Sequence, residues 1–269
     1  MNKSKSKKRI SGTAEWASKN VNVILGCKHR CRYCYARELA LRYKSIQSPG
    51  EWGDTYYRVR EEEVKKNRPK YGGTVMFPTT HDIVPEFLDE CKTVIRKLLE
   101  AGNQVLIVSK PHIECIKSIC DDFGEYKDQI LFRFTIGAAD GTILSYWEPG
   151  APTFVERLRC LQYAHKLGFQ TSVSCEPMLD SPNVEELFYT LKPYVTNSIW
   201  IGKLNKARKR ILIETDEDER QVCRIEKGQT DERIREIYEA LKDEPLVKWK
   251  ESFKTVLGLS LAEKPGLDI

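Results

Sequence analysis

The sequence lacks long apolar runs and is poor in histidine, with four in 269 residues. No apolar run approaches the roughly twenty residues that a helix needs to cross a bilayer, so we predict no membrane span. The first residues also lack the apolar segment of a secretion signal, and we expect a cytoplasmic protein in a reducing compartment. With 41% hydrophobic residues, the chain can bury one large core.

A disulfide framework is not predicted, because nine cysteines are an odd number and no secretion signal implies an oxidising compartment. Three of them, Cys27, Cys31 and Cys34, follow the apolar run at residues 21–25 with CxxxCxxC spacing. Three thiolates can hold a cluster of four irons and leave one iron open to a small molecule. Two alternatives stay open. One is a zinc knuckle with His29 as fourth ligand, although His29 lies between two of the cysteines, and the other is a set of structural thiols.

The net charge of +5 comes from the first ten residues, which contain no acid and the cations Lys3, Lys5, Lys7, Lys8 and Arg9. Residues 11–269 carry 39 basic and 39 acidic side chains, so the rest of the chain is neutral overall. We predict a basic flexible tail at residues 1–14. Such an arm either attracts phosphates in a salt-dependent way or acts only as a solubilising tail, so nucleic-acid binding is permitted rather than required.

Short β-rich runs alternate with longer amphipathic stretches along the chain. The predicted strands cover residues 21–25, 74–78, 104–109, 130–136, 169–175 and 198–202. Apolar residues at helical spacing predict helices at 85–101, 111–122, 153–166 and 184–191. Six β/α units with parallel strands and right-handed crossovers predict an α/β fold, a partial (β/α)6 barrel of the TIM type.

The predicted barrel occupies residues 15–205, and residues 206–269 form a C-terminal extension or helical cap that includes a helix at 231–241. Residues 46–73, rich in Gly, Pro, Tyr and charge, interrupt the barrel as an inserted loop. Aromatic side chains in this insertion could stack on a nucleic-acid base. Residues 206–229, which begin with the basic run at 206–210, have a pattern that indicates no function.

The cysteine triplet, with Tyr33 before its third cysteine and six β/α units after it, resembles the radical S-adenosylmethionine (SAM) superfamily. The motifs at residues 80–84, 109–110 and 148–152 resemble, more narrowly, the branch of spore photoproduct lyase and related DNA-repair lyases. The resemblance implies a [4Fe–4S] cluster on Cys27, Cys31 and Cys34. It also implies that SAM is cleaved reductively to a 5′-deoxyadenosyl radical, which abstracts hydrogen from a substrate, with flavodoxin or ferredoxin as electron donor.

The same resemblance implies roles around SAM for six further residues. Tyr33 matches an aromatic position near the adenine, Tyr35 a hydrogen-atom relay bordering SAM, and Lys110 a partner of the SAM carboxylate. Thr135 matches a residue near the ribose, Glu176 a carboxylate for the ribose hydroxyls, and His81 a residue that holds SAM or acts on substrate. Simpler alternatives are loop packing, an exposed strand-end lysine, a β-forming threonine and helix capping by Asp82.

One position departs from the lyase pattern. The lyases carry a cysteine at the end of the second strand that donates a hydrogen atom, and Thr79 occupies that position here. A threonine does not readily replace a thiol donor, so we do not expect spore photoproduct reversal. The leading substrate is a nucleic acid that is repaired or modified. The alternatives are a radical SAM enzyme acting on a peptide or small molecule, and a non-catalytic metal-binding interaction module.

Overall fold

A parallel sheet of seven strands forms the centre of the protein, in a computed structural model that describes residues 10–267. The strands are β1 (Lys19–Asn20), β2 (Ile24–Leu25), β3 (Arg58–Val59), β4 (Val75–Phe77), β5 (Val105–Ser109), β6 (Ile130–Thr135), β7 (Gln170–Cys175), β8 (Ser198–Ile201) and β9 (Val247–Trp249). All the strands except β2 and β3 belong to this sheet. The sheet order is β1-β4-β5-β6-β7-β8-β9, with every neighbouring pair parallel, while β2 and β3 form a separate antiparallel ribbon.

The helices follow the strands in the order that parallel β/α units require. They are α1 (Tyr35–Arg42), α2 (Glu61–Lys65), α3 (Leu88–Glu100), α4 (Ile113–Asp122), α5 (Gly141–Trp147), α6 (Phe154–Lys166), α7 (Val184–Leu191), α8 (Ala207–Arg210), α9 (Asp216–Lys227), α10 (Asp231–Leu241) and α11 (Glu251–Leu257). Among residues 10–267, no helix combines the length and apolar character needed to cross a membrane. The predicted α/β fold of parallel β/α units is confirmed.

Helix α3 illustrates why the sequence adopts this arrangement. Its residues Cys91, Val94, Ile95, Leu98 and Leu99 recur at helical spacing and are almost completely buried. They pack into the same hydrophobic cluster as the apolar side chains of strands β4 to β8. Burying this stripe removes apolar surface from water, which stabilises the helix against the sheet.

The first predicted strand is shifted. The sheet begins with β1, directly before the predicted strand at residues 21–25, and Ile24–Leu25 pairs with β3 instead. The Val23 amide donates to the ring of His81 and the Val23 carbonyl accepts from Arg60, so the chain leaves the sheet here. Val21, Val23 and Ile24 are nevertheless buried, because the apolar run packs into the core without continuing the sheet.

A seventh sheet strand, β9, was not predicted, because residues 247–249 were assigned to a helical cap. The side chain that follows it, Lys250, is 1% exposed and reaches the other edge of the sheet. Its Nζ lies 2.7 Å from the Glu15 carboxylate and donates to the Gly12 carbonyl at 2.8 Å. These contacts join the two edges of the partial barrel.

The first residues differ in part from the predicted flexible tail. Residues 12–15 form a short 3₁₀ helix, and Gly266 donates a backbone hydrogen bond to Ala14. Residues 10–14 thus belong to the fold because the closing contacts of Lys250 hold them. The basic residues Lys3 to Arg9 lie outside the described residues. The division of the chain at residue 205 stays a prediction.

Candidate functional site

The inserted segment at residues 46–73 holds one side of the cysteine loop, residues 26–34 between β2 and α1. The Cys27 amide donates to the Trp52 carbonyl at 3.1 Å. Gly26 has a φ of 75°, and a Cβ there would lie 2.2 Å from the same carbonyl oxygen, so the close approach requires glycine. Cys34 caps α1, because its Sγ accepts a hydrogen bond from the Arg37 amide at 3.5 Å. The insertion therefore shapes the loop.

The residues after β6 hold the other side of this loop. The Gly150 amide donates to the His29 carbonyl at 3.0 Å, and a Cβ at Gly150 would lie 2.2 Å from the Lys28 carbonyl oxygen. The Arg32 amide donates to the Trp147 carbonyl at 2.9 Å. The motif at residues 148–152, which contributed to the family resemblance, thus has a packing function against the cysteine loop.

A cavity of about 630 Å³ opens beside this loop, at the carboxyl ends of the parallel strands. This volume is in the range of small-molecule sites, and the location is the usual one for barrels. All nine residues singled out from the sequence line it: Cys27, Cys31, Tyr33, Cys34, Tyr35, His81, Lys110, Thr135 and Glu176. Their shared location agrees with a common site, whereas their individual roles stay predictions.

The three thiols of Cys27, Cys31 and Cys34 line the same cavity. Three thiolates can hold a cluster of four irons and leave one iron open, whereas a closed zinc site needs a fourth protein ligand. The residues present therefore fit an iron–sulfur cluster held by three cysteines.

His29 is not placed as a fourth ligand for the three cysteines. Its Nδ1 lies 2.8 Å from the Asp82 carboxylate and its Nε2 lies 2.9 Å from Nε2 of His112. His29, Asp82 and Cys27 are the group whose metal-binding atoms come within 4.8 Å of one another among the described residues. The His29 imidazole thus contacts Asp82, the acid next to Cys27.

Burial keeps the three thiols protonated in the absence of a cation. It raises the pKa of Cys27 and of Cys34, and it raises the pKa of Cys31 to about 12 although Lys110 acts in the opposite direction. Asp82 adds to the effect at Cys27 and Cys31. Metal ions bind thiolates, so a bound cluster would replace the protons and relieve the cost of buried negative charge.

Asp82 connects the loop to strand β5. Its carboxylate accepts hydrogen bonds from the Lys110 amide at 2.6 Å and from the Ser109 hydroxyl at 3.0 Å. Although burial disfavours its charge, Lys110 and His29 hold the pKa of Asp82 well below its usual range. The interpretation of Asp82 as a helix cap is wrong, since Val84 and Phe87 occupy the capping positions before the next helical turns.

Lys110 lies in a buried setting dominated by acidic groups. Burial alone would lower its pKa, but the nearby acidic groups, including the carboxylates of Asp82 and Glu148, raise it well above the usual value. The ammonium lies 5.7 Å from the centre of the Tyr33 ring and 3.9 Å from the Asp82 carboxylate. Lys110 therefore stays charged at neutral pH and presents a fixed cation to the cavity.

Tyr33 is fixed by a buried acid that carried no predicted role. Its hydroxyl donates to Glu148, and Glu148 pairs with Arg157 at 2.5 Å. Both charged side chains of this pair are fully buried. Burial, followed by the nearby Glu148, raises the pKa of Tyr33 well above its ordinary value. Arg157 was missed because it lies mid-helix, where a basic residue usually faces solvent.

Tyr35 and Thr79 are in direct contact. The Tyr35 hydroxyl donates to the Thr79 carbonyl at 2.6 Å, and Asn22 donates to the Thr79 hydroxyl at 2.8 Å. Burial raises the pKa of Tyr35 to about 12, although the side chain of Thr79 opposes this shift. Thr79, which the family resemblance matches to a cysteine donor of the lyases, is thus adjacent to Tyr35.

His81 lines the cavity, but its ring nitrogens are both engaged by the backbone. Nε2 accepts from the Val23 amide at 3.1 Å, and Nδ1 lies 3.0 Å from the Asp82 carbonyl. Burial lowers the pKa of His81 to about 4. The ring is therefore neutral at pH 7, with neither nitrogen directed to a ligand, and this geometry favours a positioning role.

Glu176 pairs with a residue to which the sequence pattern assigned no role. Lys250 lies 3.2 Å from its carboxylate, and burial raises the pKa of Glu176 although Lys250 opposes this shift. Arg210, from the basic run without an assigned function, also lines the cavity. No strand was predicted before Lys250, so no signal marked it as a strand-end residue.

Comparison with known proteins agrees with this architecture. An uncharacterized protein of Acidianus two-tailed virus is 29% identical over 182 residues, which cover 64% of this chain and 58% of the viral protein. An uncharacterized protein of Methanocaldococcus jannaschii is 26% identical over 208 residues, covering 76% of this chain and 77% of the relative. The chain thus matches less than two thirds of the viral relative's length.

Solved structures show the same fold at low sequence identity. A mutant of spore photoproduct lyase with bound AdoMet and dinucleoside spore photoproduct has a TM-score of 0.58 at 15% identity, covering 91% of this chain and 79% of that chain. Streptococcus suis SuiB bound to S-adenosylmethionine has a TM-score of 0.54 at 10% identity, covering 93% and 54%. The family model of the Radical SAM superfamily matches residues 21–192. The chain belongs to the radical SAM superfamily.

Proposed function

We propose that this protein is a radical SAM enzyme that holds a [4Fe–4S] cluster on Cys27, Cys31 and Cys34 and binds SAM in the adjoining cavity. The observation that carries the proposal is the common location of three thiols and a buried cation, Lys110, around one cavity of suitable size. Family membership supports the same conclusion. A non-catalytic module would need none of this arrangement.

The cluster and SAM, when bound, supply the one-electron cleavage that yields a 5′-deoxyadenosyl radical. Lys110 binds the SAM carboxylate, because it is a charged ammonium beside the cysteine loop. Tyr33, fixed through its hydroxyl, packs near the adenine. Thr135 and Glu176, at the ends of β6 and β7, contact the ribose hydroxyls, and Lys250 orients Glu176 for this contact.

Tyr35 is the proposed hydrogen-atom relay, held against the Thr79 carbonyl at the cavity wall. His81 positions the backbone at Val23 and Asp82 rather than transferring protons, since both of its ring nitrogens are engaged there. Because Thr79 lacks a thiol hydrogen, the proposed reaction is not spore photoproduct reversal.

The leading substrate is a nucleic acid that is repaired or modified. The proposed enzyme acts in the cytoplasm and receives its electron from a flavodoxin or a ferredoxin. Cations at the cavity, including Lys203 and Arg210, favour this class over a neutral small molecule. The insertion contributes less than the sequence suggested. Tyr57 packs on Phe87 at 4.9 Å, whereas Trp52 is buried but does line the cavity.

Anaerobic reconstitution with iron and sulfide, followed by reductant and SAM, tests the proposal. The loaded protein should show the visible absorbance of an iron–sulfur cluster and release 5′-deoxyadenosine. Cys34→Ala should lose both signals, whereas Cys223→Ala, on α9 beside Glu219, is the matched control and should keep them. A fully loaded cluster that yields no 5′-deoxyadenosine would contradict the enzyme assignment, and one zinc per chain in place of iron would favour the knuckle.

A further inference from the structure

The segment between β8 and α8 brings cations to the mouth of the cavity. Lys203, Leu204, Asn205 and Lys206 of this segment line the cavity, and so does Arg210 at the end of α8. Residues 206–210 form the basic run whose pattern indicated no function. The segment is fixed in place, because the Leu204 amide donates to the Gln229 side chain at 2.5 Å and the Lys203 amide donates to the Ser252 hydroxyl at 3.1 Å.

Arg210 differs from its neighbour Arg208 in the partners available to it. The exposed guanidinium of Arg208 is held by Glu219 and Glu226 at 2.8–3.2 Å, which anchors α8 to α9. The Nε of Arg210 is buried, and within residues 10–267 it has no hydrogen-bond partner. Burying a hydrogen-bond donor without a partner is unfavourable. An acceptor that reached this donor from the cavity would remove the cost.

Two of the three acids that line the cavity, Glu176 and Asp82, already contact other cations, and the third is Glu251. The Glu176 carboxylate pairs with Lys250, and Asp82 contacts Lys110 and His29. Lys203, Lys206 and Arg210, in contrast, form no ion pair with any residue of the described chain. Arg210 nevertheless lines the same cavity as Tyr35 and Glu176, so a group that it binds would share the cavity with the proposed relay and the proposed ribose site.

We propose that Lys203, Lys206 and Arg210 form a subsite for a phosphate group of the substrate, either from a nucleic-acid backbone or from a free nucleotide. A guanidinium binds phosphate through two parallel hydrogen bonds, and the lysines add point charges. The subsite rests on the proposed function, because it would hold the substrate beside Tyr35. It assigns a role to the basic run that the SAM site does not use.

Binding measurements on the reconstituted full chain test the subsite. The probes are fluorescein-labelled single-stranded dT10, followed by anisotropy, and thymidine 5′-monophosphate, followed by calorimetry. Arg210→Gln should weaken dT10 binding about tenfold, the loss of roughly one charged hydrogen bond. Its salt dependence should become shallower by about 0.7 in the logarithmic slope. Lys209→Gln, exposed on the same helix and absent from the cavity wall, should bind like the wild type.

The outcomes separate this subsite from the proposed function, because SAM cleavage by the wild type is assayed without any nucleic acid. If Arg210→Gln weakens the binding of dT10 and the monophosphate does not bind, the subsite takes a nucleic-acid phosphate. If Arg210→Gln weakens the binding of both probes, the subsite also takes a free nucleotide. Equal losses in the Arg210 and Lys209 variants, or no binding of either probe, would overturn the subsite. So would an acidic decapeptide that binds with the same dependence on Arg210. Lys206→Gln provides the same test if Arg210→Gln does not fold.

Discussion

The carboxylate of Asp82 holds Lys110 at two points, accepting the Lys110 amide at 2.6 Å and lying 3.9 Å from its ammonium. The same carboxylate contacts His29 at 2.8 Å, within the cysteine loop. Asp82 therefore connects the proposed SAM-binding cation to the proposed cluster loop. A change in Asp82 should affect both, although Asp82 itself need not contact SAM.

Asp82→Asn should weaken SAM binding about tenfold. The amide keeps the size of the side chain but removes the charge that holds the Lys110 ammonium, and one of its two polar atoms can no longer accept a hydrogen bond. Calorimetric titration of the reconstituted protein with SAM measures the effect. Asp89→Asn, exposed at the start of α3, is the control. Unchanged SAM affinity in the Asp82 variant would argue against its positioning role.

Gly150→Ala should lower both stability and iron content. The new Cβ would lie 2.2 Å from the Lys28 carbonyl oxygen, and the backbone must move to relieve this contact. Overpacking of this kind costs about 1–3 kcal/mol in the free energy of unfolding. Urea denaturation and iron analysis after reconstitution check this. Gly124→Ala, where nothing lies within 4 Å of the added atom, should change neither quantity. Equal behaviour of the two variants would contradict the close approach.

Lys250→Met should destabilise the protein by about 3–5 kcal/mol, because it leaves the buried Glu15 and the partly buried Glu176 without their cation. Lys242→Met removes an exposed pair with Glu239 and should cost at most about 1 kcal/mol. Chemical denaturation of both variants makes the comparison. Adding Glu15→Gln to the Lys250 variant should recover part of the loss, and strict additivity would show that the pair is not coupled.

His81 should make stability fall as the pH is lowered from about 6.5 towards 4. Burial lowers its pKa to about 4 in the folded protein, so the unfolded chain binds the proton more readily in this window. Stability is fully present above about pH 6.5 and declines by about 3 kcal/mol on the way to pH 4. Denaturant unfolding from pH 7 to pH 4 should show a shallower decline for His81→Gln than for the wild type. His165→Gln, half-buried on α6, should follow the wild type.

Most β/α units were predictable because their signals are local. The helix predicted at 184–191 has the same bounds as α7, and strands β5 and β7 differ from the prediction by one residue at most. Apolar spacing and strand propensity act over neighbouring residues, so a short window contains the information. The strand predicted at 21–25 was wrong in position, because hydrogen bonds to His81 and Arg60, distant in sequence, remove it from the sheet.

The site was predictable only where a strand or motif marked it. Lys110 and Glu176 follow predicted strands and Thr135 lies near the end of one, so parallel topology places all three at one end of the sheet. The buried partners Arg157 and Lys250 carried no such mark. From sequence alone, a basic residue in a helix or after an unpredicted strand is expected to be exposed to solvent. Only the fold shows which acid pairs with it.

By itself, the sequence determined the ligand loop and the alternation of strands and helices, because both depend on spacing between nearby residues. Only the tertiary structure decided how the barrel closes and which charges are paired. Lys250 bonds to Gly12, 238 positions away, and Tyr33 to Glu148, 115 positions away. Contacts at such separations depend on the packing of the whole chain. Arg210, whose buried Nε has no acceptor within residues 10–267, became a candidate for phosphate binding for the same reason.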